Sequence, residues 1–144
     1  MRLAIVASRF NEEISSRLLE RARAGAAALG IKDCFVAQVP GALEIPIALQ
    51  WLAQSGRFDA LVALGCVIRG ETYHFEIVAG ESARGINDLA IGRRIAIGNG
   101  VLTVENEAQA LARARAGEGD KGGGAAKACL AVVAARKRLL GQPR

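Results

Sequence analysis

Short aliphatic runs alternate with stretches of helical period along the whole chain, and this alternation restricts the fold more than any other feature of the sequence. Leu3 to Ala7 is apolar throughout and is closed by Ser8-Arg9-Phe10-Asn11, the pattern of a strand covered on both faces. From Glu12 to Leu29, the residues Ile14, Leu18, Leu19, Ala22, Ala26 and Leu29 recur at helical spacing. Asn11 stands as the N-cap, Glu12 and Glu13 suit the first turn, and Gly30 suits the stop.

The pattern then repeats. Phe35 to Val39 reads as a second strand closed by Pro40-Gly41, and Ala42 to Ser55 as a helix ending at Gly56, with Pro46 near its start where a missing N–H costs little. Leu61 to Val67 is the third strand and Thr72 to Leu89 the third helix. Arg94 to Ile97 gives a fourth strand, stopped by Gly98-Asn99-Gly100, before a helix from Glu105 to Ala116. Gly117 to Gly124 separates that helix from a last one, Ala125 to Leu140. Parallel neighbours need crossovers of helical length, so the expected fold is α/β. It is a flavodoxin-like three-layer sandwich, a four-stranded parallel sheet with helices on both faces, residues 1–144 forming one domain. In such sheets ligands bind beyond the carboxyl ends of the strands, where strand order reverses. Ser8 to Asn11, Val39 to Glu44 and Val67 to His74 are therefore expected around one crevice.

Composition narrows the class further. Hydrophobic residues at 51% and charged residues at 23% are ordinary for a globular chain of 144 residues and argue against disorder. No apolar run reaches the roughly 20 residues that span a bilayer, and the first apolar run is too short for a signal peptide, so the expected location is the cytoplasm, away from membranes. Cys34, Cys66 and Cys129 are odd in number and lack metal-ligand spacing; all three read as small buried hydrophobes. The net charge of +5 could suggest nucleic acid, but aromatics are few. The basic residues are spread apart from Arg136-Lys137-Arg138 and Arg144, a solvated helix face with no nucleic-acid partner expected.

The third strand breaks into Gly65-Cys66-Val67-Ile68-Arg69-Gly70-Glu71-Thr72-Tyr73-His74-Phe75-Glu76 and holds the one histidine of the chain. A strand that ends at a glycine and opens a helix makes an anion site, because the first-turn N–H groups and the helix dipole face outward and Gly70 admits close approach. His74 stands next to that site with a side chain that exchanges protons near neutrality.

These segments, with Val39-Pro40-Gly41-Ala42-Leu43-Glu44-Ile45-Pro46, Asn99-Gly100-Val101-Leu102-Thr103-Val104-Glu105-Asn106 and Asp120-Lys121-Gly122, occur in the order and spacing of one family over nearly the whole chain. The chain closely resembles lumazine synthase. The resemblance implies the penultimate step of riboflavin biosynthesis: condensation of 5-amino-6-(D-ribitylamino)uracil with 3,4-dihydroxy-2-butanone 4-phosphate, giving 6,7-dimethyl-8-ribityllumazine, phosphate and water. It implies no metal and no organic cofactor. It also implies a homopentamer or multiples of it, with sites at subunit interfaces.

Carried over residue by residue, the resemblance sets Phe10 against the pyrimidine, with Asn11 beside it touching ligand or capping its helix. Gly41, Ala42 and Glu44 resemble the ribityl-binding turn, and Val67 and Ile68 offer backbone groups to the pyrimidine edge. Gly70, Glu71 and Thr72 resemble the phosphate turn, with the Glu71 side chain expected to point away because a carboxylate repels phosphate. His74 takes the proton-transfer role. Arg113 falls on the family's phosphate-binding arginine, with Arg115 the rival under another anchor, and Lys121 on its later lysine. Asn99 stands where many members have a phenylalanine, and the chain begins almost at its first strand, whereas relatives commonly carry a preceding segment, so pentamer and larger shell both stay open. A non-catalytic flavin- or lumazine-binding or shell-forming homologue is the alternative. It would signal itself by loss of His74, Arg113 or the glycine turn, and all are present. An electron carrier of flavodoxin type would want a Ser/Thr-rich loop where this chain has Ser8-Arg9-Phe10-Asn11.

Overall fold

The computed structural model describes residues 1–141; Arg144 of the basic end lies outside them. Strands β1 (Leu3–Ser8), β2 (Cys34–Val39), β3 (Ala60–Ile68) and β4 (Ala96–Val104) form one parallel sheet in the order β2-β1-β3-β4. Helices α1 (Glu12–Ala28), α2 (Ile45–Gln54), α3 (His74–Arg93), α4 (Glu107–Ala114) and α5 (Lys121–Leu139) cover it, and a 3-10 turn (Ala42–Glu44) precedes α2. Two apolar cores result, as alternation along a strand requires. Leu3, Ile5, Val62 and Leu64 pack with Leu18, Ala22, Ala126 and Cys129 of α1 and α5. Ala4, Val6, Leu61 and Ala63 pack with Ile45 and Leu49 of α2 and Ile86 of α3. The chain leaves β1 toward one edge and β3 toward the other, so the sheet reverses order between them and opens a crevice at their carboxyl ends.

Two glycine-rich segments depart from the expected boundaries, for one reason. β4 runs through Gly98-Asn99-Gly100 to Val104 and does not stop at Ile97. A Cβ on Gly98 would lie 2.1 Å from the Ala125 carbonyl oxygen, and one on Gly100 would lie 3.0 Å from the Ala125 Cβ and 2.7 Å from Leu64 Cδ2. These glycines let α5 lie against the strand and do not turn the chain. Likewise α5 begins at Lys121, so Gly122, Gly123 and Gly124 are helical and do not belong to a linker. A Cβ on Gly122 would lie 2.3 Å from the Leu18 carbonyl oxygen of α1. Asp120 caps the helix, its carboxylate accepting from Gly123 N at 3.3 Å and from Arg21 Nε at 3.0 Å.

Other boundaries shift by a few residues. α3 starts at His74 and runs to Arg93, ending at Arg94 in the left-handed region, φ 55°. α4 spans Glu107–Ala114, with Asn106 as its cap, inside the expected Glu105 to Ala116. Cys66 and Cys129 are buried as expected, but Cys34 is only half-buried because it opens the edge strand β2.

Candidate active site

The three expected corners meet at the carboxyl ends of β1, β2 and β3. The backbone N–H groups of Arg9 and Phe10 donate to the carbonyls of Val39 and Pro40 at 2.8 and 2.9 Å, joining the β1–α1 corner to the end of β2. Asn11 completes the assembly differently from the sequence expectation. It occupies the N-cap position of α1 with φ 58° and makes no side-chain cap; its Nδ2 donates instead to the Cys66 carbonyl on β3 at 2.9 Å. Asparagine tolerates the left-handed backbone that a bulkier residue resists. The amide therefore ties two strand ends together, and it does not line the cavity they enclose.

That cavity is about 480 Å³. Phe10 from the first corner, Gly41 to Glu44 from the second, and Cys66, Val67, Ile68, Gly70, Thr72 and His74 from the third line it, with Phe75 and Val78 of α3. Phe10 is 70% exposed, so its ring is a wall of the cavity and not a core group. A Cβ on Gly41 would stand 3.2 Å from Glu44 Oε1, so the carboxylate lies close over the turn where glycine leaves it room. Gly70 has open space within 4 Å where a Cβ would stand. The Thr72 hydroxyl accepts from His74 N at 3.3 Å, leaving its own proton available to a ligand. Glu71 is exposed and absent from the lining.

Several expected residues are not brought to this cavity within one protomer. Asn99 lies on edge strand β4 opposite Ala63, five residues upstream of the Ile68–Val104 pair at the strand ends, or about 16 Å along the sheet. Its Oδ1 accepts from Val101 N at 2.9 Å. Arg113 is exposed on α4, its Nη1 donating to the Gln109 carbonyl at 3.0 Å, and Lys121 is exposed at the start of α5. Arg115 pairs with Glu118 at 3.2 Å. Among the described residues that line the cavity there is no lysine or arginine.

Sequence reasoning gave no site role to five contributors, of which Leu43 and Cys66 line the cavity from within the expected segments. Phe75 and Val78, three apart on α3, carried a helical-period signal but no polar mark. Arg69, just before the glycine turn, gave no local signal, because its partners come from two other elements. Its Nε donates to Glu105 Oε1 at 2.8 Å, its Nη1 binds Glu76, and its guanidinium lies 4.3 Å from the centre of the Phe75 ring. The hydrogen bond from Arg69 holds the Glu76 carboxyl below the usual carboxylate range. Burial acts the other way on the Cys66 thiol, pushing it up to about 11, so it is no ready nucleophile.

The strand order, the reversal between β1 and β3 and a mixed polar and aromatic cavity at the strand ends define a flavodoxin-like α/β domain with a small-molecule site at its switch point. Residues 1–137 match the family model of 6,7-dimethyl-8-ribityllumazine synthase. A 6,7-dimethyl-8-ribityllumazine synthase of Azorhizobium caulinodans is 54% identical over 144 residues, covering 96% of this chain and 88% of its own. Those of Methylobacterium radiotolerans and Sphingopyxis alaskensis are 54% and 56% identical, covering 99% and 94% of this chain and 87% and 94% of their own. The chain belongs to the 6,7-dimethyl-8-ribityllumazine synthase family, and with it to the transferases of riboflavin biosynthesis.

Proposed function

We propose that the 480 Å³ cavity receives 5-amino-6-(D-ribitylamino)uracil and 3,4-dihydroxy-2-butanone 4-phosphate together, and that residues 1–144 act as one domain condensing them to 6,7-dimethyl-8-ribityllumazine. The observation that carries this reading is the convergence of an exposed aromatic ring, a carboxylate, a glycine turn at a helix start and the sole imidazole on one cavity. Phe10 stacks on the pyrimidine, a contact of about 0.5–1.5 kcal/mol beyond its area. Val67 and Ile68 present main-chain groups to the ring edge, and Glu44, beside Gly41 and Ala42, accepts from ribityl hydroxyls. The N–H groups of Gly70, Glu71 and Thr72, with the Thr72 hydroxyl, hold the phosphate at the start of α3.

The chemistry asks for little more than position and protons. The pyrimidine amine adds to the ketone and a first water leaves, phosphate is eliminated, and the ribityl-bearing nitrogen closes the second ring on the remaining carbonyl with loss of a second water. Each step moves a proton at nitrogen, oxygen or carbon, and His74 is the group within the cavity to carry it. Holding both reactants removes several kcal/mol from the barrier before any proton moves.

Among the described residues that line the cavity, none is a cation that would meet the phosphate. Asn99, Arg113 and Lys121 reach the site from a neighbouring subunit in this reading, which makes the active form a homo-oligomer, a pentamer or a multiple of it. The engagement of Arg115 with Glu118 favours Arg113 as the phosphate ligand. An apolar stripe on the 3-10 turn and α2, Leu43, Ile47 and Trp51, with Ile77 on α3, supports such an interface, because side chains this exposed are covered in a stable assembly. The working compartment in this reading is the cytoplasm; among the described residues no helix is long and apolar enough to cross a membrane.

Mixing the protein with both substrates and following lumazine absorbance tests the reading; a rate equal to the uncatalysed background refutes it. Dissociating and remixing His74→Ala with Arg113→Ala protomers tests the shared site. Each variant alone is poor, and mixing restores activity because some interfaces then pair an intact His74 with an intact Arg113. Mixtures no better than the average of their parents place the whole site in one chain.

A further inference from the structure

Arg69 is the best-connected charged side chain beside the cavity, yet it does not line it. Its backbone N–H donates to the Val104 carbonyl at 2.9 Å, fixing the last residues of β3 to the end of β4. Its guanidinium then spans three partners from three directions: Glu105 just beyond β4, Glu76 in the first turn of α3, and the face of Phe75. Phe75 and Gly70 both line the cavity, so the guanidinium braces the wall that carries the anion turn. The charge count is equally telling. One arginine faces two carboxylates, and without it two uncompensated negative charges flank the turn, with Glu71 a third in the turn itself.

We propose that Arg69 is a positioning residue: it holds Phe75 and the Gly70–Thr72 turn in place, and it keeps the carboxylates of Glu76 and Glu105 away from the anion that the turn receives. The proposal rests on the reading above that this turn takes the substrate phosphate. Each pair is part-exposed and individually weak, so the effect belongs to the network and to the field at the turn.

Steady-state kinetics with both substrates, in low and high salt, test this. Arg69→Met should raise KM for the butanone phosphate on the order of fivefold at low salt, the size of an exposed charge interaction. KM for the pyrimidine should move less than about twofold, and the defect should shrink in high salt as the freed carboxylates are screened. Arg69→Lys should recover part of the loss, since it keeps the charge but not the fork. In the triple variant Arg69→Met/Glu76→Gln/Glu105→Gln, KM for the phosphate substrate should return to the starting value or below. A purely structural brace predicts the opposite, because removing both carboxylates deletes the remaining polar groups of the network. An unchanged KM in Arg69→Met, equal rises for both substrates, or a triple variant as poor as the single one each overturns the proposal. If the unsubstituted protein forms no lumazine, the functional reading fails instead. Titration of the same variants with inorganic phosphate then decides the role of Arg69, a constant Kd across them refuting it.

Discussion

Two glycines separated by one residue in α5 should respond to the same substitution with opposite signs. Gly124 is exposed in the first turns of the helix, and a methyl group there meets nothing within 4 Å. Gly124→Ala therefore gains the helix preference of alanine over glycine, about 1 kcal/mol. Gly122 is buried against α1, and a methyl carbon there falls about 1 Å short of ordinary contact with the Leu18 carbonyl oxygen, with the Leu18 Cα and carbonyl carbon 3.0 Å away. All three crowded atoms are backbone, so no side chain can swing aside, and α5 must lift from α1. Overpacking of this kind costs about 1–3 kcal/mol, and the backbone contact puts Gly122→Ala at the upper end; the helix preference offsets about 1 of that. For a chain of this size each kcal/mol moves the thermal midpoint by about 4 °C. At one fixed protomer concentration, calorimetry or circular dichroism should place Gly124→Ala about 4 °C above the starting protein and Gly122→Ala about 4–8 °C below it. Gly122→Ala should also lower activity at temperatures where it remains folded, because Lys121 precedes the displaced turn. A Gly122→Ala midpoint at or above that of the starting protein refutes the close-approach account of the glycine-rich segment.

Other outcomes follow from the same structure. Asp120 is held below its usual carboxylate range by Arg21, so its contribution to stability is present above that range and is lost as pH falls through the lowered value. Asp120→Asn keeps a capping side chain but not the charge; the acid limb of a stability–pH curve should flatten, and a limb of unchanged steepness would count against the pair. Burial pushes the thiols of Cys66 and Cys129 up to about 11, so a thiol reagent at pH 8 should leave both unlabelled until the chain unfolds, with Cys34 reacting first. His74→Ala should lower kcat by about a hundredfold while KM for either substrate changes little, as expected of a proton carrier. Equal losses in kcat and gains in KM would make it a binding residue instead. Trp51→Glu should shift sedimentation toward smaller species, and an unshifted assembly would exclude the α2 stripe from the interface.

Strands of unbroken aliphatic residues announced the sheet plainly, because burial on both faces leaves no room for a polar position between Leu3 and Ala7 or between Leu61 and Leu64. Two of the corners were legible for a similar reason, since Pro40-Gly41 and Gly70 after strands are local signals, whereas the first, Ser8 to Asn11, was marked by the polar break after an aliphatic run. What failed to show was everything set by distant contact. Gly98 and Gly100 look like a turn, and Gly122 to Gly124 like a linker, until α5 is placed against β4 and α1. Asn11 looks like a cap until the Cys66 carbonyl is found within its reach. Arg69 is unremarkable in sequence, since Glu105 lies 36 residues away from it. Most of the residues expected in the three corners line one cavity, Asn11 and Glu71 excepted, whereas those expected on β4, α4 and α5 lie away from it.

The bonds from Arg9 and Phe10 to Val39 and Pro40, and from Asn11 to Cys66, have a consequence for how the pocket fails. The first corner is fastened on both sides, so it cannot shift without pulling on the ends of β2 and β3. Occupancy of the pocket and cohesion of the strand tips should rise and collapse in concert. Drift in sequence that slackens any one of these fastenings would therefore register first as fading grip on both reactants at once, well before the molecule itself came apart.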